Sequence, residues 1–383
     1  MKKNRFYLLA AMATAVFSLS SCIYDDEVAT ASSTPFNSDE EVQITATMQG
    51  INAGNTRAAY NLQSNNLDSW LNAGIYIFKT NATKAVAAAT GVTGYAGYNN
   101  IQVTTTNPAT VSDPPATTNI TLSADPTKFY FPVDNTDVDA YVYAPYALGN
   151  TADDIVKAMP VTVASDQTED ADYIASDFIY GKATASYTGD KTASVTMYHA
   201  MTKMTFKIVD AANGTNAAGI TEIKLTNVFK SATVDMSAPV VASPSGTAPY
   251  LNNGSNVNVT TTTSGTRGDV IVAQLNSTTH TTNFYTAATS NGVSAIIPPH
   301  NAAALQNSGA TPAAPVQVSV TIDGKTKTVD IYKSSGDPND LTELLPGFEY
   351  VFTLNIKATG IIIVAVAIKP WLSGAAVARD LTF

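Results

Sequence analysis

The chain has 383 residues and a formal net charge of −10; 45% of its residues are hydrophobic and 14% charged. That length allows two domains of ordinary size, and that apolar content allows a large core, so disorder does not dominate. The acidic balance argues against nucleic acid and against docking on anionic lipid, and a single cysteine, Cys22, excludes internal disulfides and thiolate metal sites.

The N-terminus opens with Lys2, Lys3 and Arg5, an apolar run over residues 6–19, and then Leu19-Ser20-Ser21-Cys22. A charged start, a short apolar stretch and small residues before a cut site read as a secretory signal over residues 1–21. The run is shorter than the about 20 apolar residues that a spanning helix requires. The cysteine at the junction resembles that of a bacterial lipobox, which implies acylation of Cys22 and a new N-terminus there. Residues 23–39 are acidic and then Ser/Thr-rich, as a tether would be. Tyr24-Asp25-Asp26-Glu27 resembles the acidic export signal of Bacteroidetes surface lipoproteins and implies a place on the outer membrane, facing out.

Next, Val42, Ile44, Ala46 and Met48 alternate with Gln43, Thr45, Thr47 and Gln49. Strict alternation predicts a half-buried strand. The stretch that follows, residues 52–59, is small and polar and suits an exposed loop. It contains Arg57, the only arginine between Cys22 and Arg267. A basic residue on such a loop is where a trypsin-like protease cuts, so Arg57–Ala58 is the expected maturation bond and residues 22–57 a propeptide carrying a removable strand.

From residue 60 the pattern is β. Runs rich in Val, Ile, Thr, Tyr and Phe recur between Asn, Gly, Pro and Asp clusters: 74–79, 101–105, 127–131, 138–143, 194–198, 204–209, 222–228, 257–261, 269–273, 293–297, 316–322, 327–332, 350–356 and 360–368. One short helix is predicted over 151–159, with Thr151 as N-cap and Asp153 and Asp154 in its first turn. Many short strands without intervening helices imply an all-β fold of antiparallel β-sandwiches. Residues 195–209 read as two strands in tandem hinged at His199-Ala200-Met201, which places a domain boundary near residue 200 and gives sandwiches over 58–200 and 201–371.

Catalysis has little to stand on. His199, His280 and His300 are the only histidines, none in a metal-ligand spacing, and there is no GxSxG elbow or Gly-rich phosphate loop. His199 falls at the expected junction, where packing is its natural role. Asp166, Glu169, Asp170 and Asp172 lack the spacing and the glycine of an EF-hand and read as a solvated loop. Tyr141, Tyr143 and Tyr146 could stack on a sugar, but the alternating spacing favours cross-strand packing. No enzyme, cofactor or metal is expected.

The lipobox leader, Thr56-Arg57-Ala58, Tyr130-Phe131-Pro132, the VDAYVYAPY run over 138–146, the SDFIYG run over 176–181, the YHAMTKMTF run over 198–206 and Ala367-Ile368-Lys369-Pro370-Trp371 together resemble a Bacteroidetes fimbrillin, the type V pilin family. The resemblance spans nearly the whole chain and rests on the order and spacing of these motifs. It implies two transthyretin-like β-sandwiches in tandem, lipoprotein export, Arg-specific proteolysis that removes the first strand, and assembly with other copies and other pilin subunits by strand exchange. The expected product is a fimbrium that supports adhesion.

A sandwich that loses the strand of Val42–Met48 keeps neighbours with unpaired N–H and C=O groups, a template for a strand from another subunit. The predicted donor is the tail, residues 372–383. Val377, Leu381 and Phe383 fall on one strand face, with Arg379 interrupting it, and Ser373-Gly374 offers a pivot. The tail is expected to be free in the unassembled precursor; residues 361–368 are the next candidate donor. An anchor or tip subunit of the same pilus is the first alternative. A monomeric surface lipoprotein that binds glycan or host protein is another, from a different class, and a secreted hydrolase is disfavoured by the missing acid/base constellation.

Overall fold

The computed structural model describes residues 36–48, 73–80, 99–105, 120–123, 129–132, 135–150, 155–210, 220–237, 259–260, 267–275, 292–306, 314–332, 341, 343–357, 360–371 and 379–382. Its strands in the first half are β1 (Phe36–Glu41), β2 (Gln43–Met48), β3 (Ala73–Lys79), β4 (Ile101–Thr105), β5 (Ile120–Ser123), β6 (Tyr130–Pro132), β7 (Val138–Ala144), β8 (Met159–Thr162), β9 (Ile179–Ala185) and β10 (Thr192–His199). The second half contributes β11 (Thr202–Asp210), β12 (Ile220–Phe229), β13 (Ser231–Val234), β14 (Val259–Thr260), β15 (Arg267–Gln274), β16 (Val293–Ile297), β17 (Gln317–Ile322), β18 (Lys325–Asp330), β19 (Phe348–Lys357), β20 (Gly360–Pro370) and β21 (Arg379–Thr382). Two short α-helices, α1 (Asp170–Ala175) and α2 (Ala302–Gln306), complete the described elements, with one 3-10 turn at Ile155–Lys157. The fold is therefore all-β.

The strands sort by chain order. A closed ring in the order β10-β2-β5-β4-β3-β7-β9 is built only from the first half. A five-stranded sheet, β16-β11-β19-β20-β21, and a four-stranded sheet, β15-β12-β17-β18, are built only from the second. β1 with β6 forms a separate pair, also within the first half, and the exception is a three-stranded sheet β14-β13-β8 that joins the halves. Pairing is mostly antiparallel; β2 with β10 and β11 with β19 are parallel.

Alternation explains most of this. Along β10, Ala193, Val195 and Met197 are buried and Ser194 is exposed, which is the period-2 pattern of a strand with one wet face. The tandem strands predicted around residue 200 are β10 and β11, broken at Ala200–Met201. Asp323 and Gly324, with φ of 48° and 71°, form the two-residue turn between β17 and β18, the backbone that a tight hairpin demands. Gly181 on β9 serves close approach: a Cβ there would stand 2.2 Å from the Thr196 carbonyl oxygen on β10.

The helix predicted over 151–159 differs. Only the 3-10 turn lies there among the described residues, and Met159 opens β8. Pro160 accounts for this, because the residue before a proline is pushed out of the helical region. The acidic stretch read as a loop instead holds α1, whose first turn carries Asp170 and Asp172, favourable at a helix N-terminus.

Candidate functional site

The segment singled out by its alternation is seated inside the ring. β2 lies between β10, on which it runs in parallel register from Thr192 opposite Gln43 to Met197 opposite Met48, and β5, on which it runs antiparallel from Ile44 opposite Leu122 to Ala46 opposite Ile120. Val42, Ile44 and Ala46 are 2%, 1% and 0% exposed, whereas Gln43 is exposed. Sizes complement across the parallel pair: Ile44 meets the small Ala193, and the small Ala46 meets Val195. A strand paired on both sides with its apolar face in the core has a single workable register, since a slip of one residue would turn every side chain over.

The leader does more than its alternation announced. β1 pairs with β6, Phe36 opposite Pro132 and Glu41 opposite Tyr130, with an irregularity between them. Between β1 and β2, Val42 N–H donates to Phe129 O at 2.8 Å and Gln43 N–H to Lys191 O at 3.0 Å. Glu40 and Lys191 form an ion pair, and Lys191 also lies over the ring of Tyr187. Tyr187 packs edge-on against the buried Phe131. Sequence periodicity could not find β1, because its acidic stretch has no apolar alternation. Cys22, Arg57 and Ala58 lie outside the described residues.

At the other end of the chain, β21 pairs antiparallel with β20, from Ala365 opposite Thr382 to Ile368 opposite Arg379. The tail was expected to be free in the precursor; its residues 379–382 instead form the last strand of the five-stranded sheet. The reason is that β20 would otherwise present an open edge. In this register Leu381 stands opposite Val366, which is fully buried. Val377 and Phe383 lie outside the described residues.

The root of that tail is fixed at the junction of the halves. Trp371 N–H donates to Gly347 O at 2.7 Å, and Gly347 N–H donates to Met201 O at 2.8 Å. The Trp371 indole stacks on His199, with ring centroids 3.9 Å apart and planes 11° apart. His199 Nδ1 sits 2.9 Å from the buried Asp177 carboxylate. Lys203 Nζ lies 5.9 Å from the Trp371 ring centre and 3.4 Å from Glu349 Oε1, and both charged residues are buried. Thr205 Oγ1 donates to the same Glu349 oxygen at 2.8 Å and shares a 2.8 Å hydrogen bond with Ser294. His199 is thus a packed, hydrogen-bonded joint residue.

The remaining sequence candidates are also structural. His300 accepts the Phe229 N–H on Nε2 at 3.0 Å and lies 2.7 Å from Pro298 O through Nδ1. Burial, with the nearby Arg267 charge adding to it, pushes its pKa down to about 4, so it is neutral at neutral pH. His280 lies outside the described residues. Tyr143 stacks between Tyr76 and Phe178, Tyr141 meets Phe78 edge-on, and Tyr146 packs half-buried against the core. That is cross-strand packing, with no free aromatic face for a sugar at Tyr141 or Tyr143. Asp166 Oδ1 accepts hydrogen bonds from Thr168, Asp170 and Asp172 sit in α1, and Glu169 is its N-cap residue. Among the described residues no three His, Cys, Asp or Glu side chains are placed to hold a metal ion.

A family model described as fimbrillin-like matches residues 56–371. The chain belongs to the fimbrillin-like family, a structural family of fimbrial and cell-adhesion proteins and not of enzymes. Among solved structures, a candidate cell adhesion protein from Bacteroides uniformis matches with 17% identity and a TM-score of 0.51, over 88% of this chain and 99% of that one. One from Bacteroides ovatus matches with 14% identity and a TM-score of 0.50, over 88% and 99%. The tip fimbrial protein Mfa3 from Porphyromonas gingivalis, with C-terminal truncation, matches with 11% identity and a TM-score of 0.44, over 86% and 100%. The first two likenesses show a shared fold. No curated protein matches the sequence. Membership implies a cell-surface fimbrium and assembly with other pilin subunits.

Proposed function

We propose that this chain is a structural pilin subunit, exported as a lipoprotein acylated on Cys22, cut between Arg57 and Ala58 by an Arg-specific protease, and polymerised by donor-strand exchange. The observation that carries the reading is the seat of β2. It is an internal strand upstream of Arg57, paired on both sides and contributing Ile44 and Ala46 to the core, with Val42 buried just ahead of it. Its loss leaves β10 and β5 with unpaired backbone and an apolar groove, which a strand from another subunit fills by β-augmentation. The family match supports the same limits, since it begins at residue 56, beside Arg57, and ends at residue 371, before the tail. In this reading residues 58–200 and 201–371 are the two domains and residues 372–383 the donor, with Val377, Leu381 and Phe383 entering the groove.

Arg57→Ala tests the reading. The uncut chain keeps β2 in its own groove and stays monomeric, whereas the cut wild-type chain gives a ladder of lengths on a gel. Ladders of normal intensity from Arg57→Ala, or a mature N-terminus far from Ala58, would sink it. Cys22→Ala should leave an unprocessed precursor without lipid, read by mass spectrometry.

One observation favours a second reading, a tip subunit. Residues 379–382 are already paired with β20 of their own chain, and a subunit that keeps its tail docked accepts a strand without giving one. Deleting residues 372–383 separates the two: a stalk subunit then stops polymerising, and a tip subunit assembles as before.

A further inference from the structure

Among the described residues, two of the edge strands of the second half pack side by side, β15 of the four-stranded sheet and β16 of the five-stranded sheet. All five residues of β16 are buried. β15 carries Arg267 and the exposed Asp269 at its start but is apolar beyond them, burying Val270, Val272 and Ala273. The opposite edge of the four-stranded sheet is different: β18 exposes Lys325, Thr326, Thr328 and Asp330, the charged and polar kind of edge that discourages pairing.

A single stretch of the first half meets both edges. β8 pairs antiparallel with β13, from Ser231 opposite Thr162 to Val234 opposite Met159. Val163 N–H then donates to Lys230 O at 2.9 Å. Ser165 O accepts the Ile271 N–H at 2.8 Å, and Gln167 N–H donates to Ile271 O at 3.0 Å, a parallel bridge between Asp166 and β15. Gln167 next turns its side chain onto the other sheet. Its Nε2 donates to Ile296 O at 2.8 Å and its Oε1 accepts the Ile296 N–H at 2.8 Å. The amide of a fully buried glutamine thus pairs with β16 as a backbone peptide would. The stretch is tied back to its own half as well, because Ala164 N–H donates to Ser176 Oγ, which donates to Asp172 O in α1.

We propose that residues 159–168 are an intramolecular strand clasp, held on β13 through 159–163 and covering the edge of β15 at Ile271 and that of β16 at Ile296 through 165–167, so that these edges cannot pair with another chain and the two halves bear load as one body. Backbone groups of Ile271 and Ile296 that would otherwise template a foreign strand are satisfied from within. The clasp acts whichever end of the chain the proposed strand exchange uses, and its failure would leave that exchange untouched.

The first test uses the unmodified protein. Native-state hydrogen exchange in increasing denaturant should find the amides of Ile271, Ile296 and β8 opening together, with one free energy and one denaturant slope. Opening of Ile271 and Ile296 at a lower free energy than β8 would overturn the proposal. The second compares Gln167→Ala with wild type in the full chain. Ile296 and Ile271 should exchange at least tenfold faster, while Ile75 and Val142 of the ring keep their rates, and sedimentation should show concentration-dependent association. Unchanged exchange at Ile296 refutes the clasp.

Discussion

Ile44→Ala measures how firmly the leader strand is held. Ile44 is 1% exposed and stands opposite Ala193, itself fully buried, on one side and Leu122 on the other. Truncating a buried isoleucine to alanine costs about 2–5 kcal/mol, more where the site cannot collapse. Ala193 is too small to fill the space, and β10 is pressed from behind at Gly181, where β9 leaves no room for a Cβ against Thr196. The upper half of that range, about 3–5 kcal/mol, is therefore expected. Urea unfolding should show this as a fall in midpoint with little change in slope. In a chain cut after Arg57 but not yet assembled, the same loss should speed release of the leader fragment by about two to three and a half orders of magnitude at 1.4 kcal/mol per factor of ten. Thr45→Ala is the matched control: among the described residues its hydroxyl makes only a long, exposed 3.4 Å contact with Ser194, and it should shift stability by about 0.5 kcal/mol or less. A loss below about 1 kcal/mol in Ile44→Ala, or equal losses in the two variants, would refute both the register and the internal placement of β2.

Gly181→Ala should destabilise by several degrees of Tm or abolish folding, because the new methyl meets main-chain oxygen, which cannot rotate away; an unchanged melting curve would show that β9 and β10 are less close. His300 sets a pH dependence. Its pKa falls from 6.5 unfolded to about 4 folded, so the unfolded chain binds the extra proton and stability drops as pH falls from about 6.5 to 4, then levels. The amplitude is roughly 3 kcal/mol at 1.36 kcal/mol per unit; a His300→Asn variant should lack that slope in urea titrations at pH 7, 5 and 4. Lys203→Met leaves Glu349 buried without its cation and should cost about 3–5 kcal/mol, while Lys203→Met with Glu349→Leu should recover much of it; a double variant less stable than the single would contradict that account.

Much of the architecture was legible in the residue order. Alternation marked residues 42–48 as a strand with Val42, Ile44 and Ala46 inward, seen as β2 over Gln43–Met48, and the break at Ala200–Met201 separated β10 from β11. These are local signals: a strand with one buried face prints its period on its own sequence. β1 left no such print, since it is short and acidic and its partner β6 is remote in sequence. The clasp was equally hidden. Gln167 reads as one polar residue in a polar loop, and only the arrival of Ile296 beside it gives its amide a meaning.

The sequence by itself determined the class of the fold, the strand that is buried ahead of Arg57, and the absence of any catalytic spacing among its histidines. It also supplied the motifs by which the family was recognised. Tertiary structure decided which strands are neighbours: β2 beside β10 in parallel, β21 on β20 in its own chain, and residues 159–168 across β15 and β16. Side-chain periodicity records which face a strand buries. Its backbone hydrogen-bonding edges are chemically alike at every residue but proline, so nothing in the order of side chains names the strand that will lie alongside.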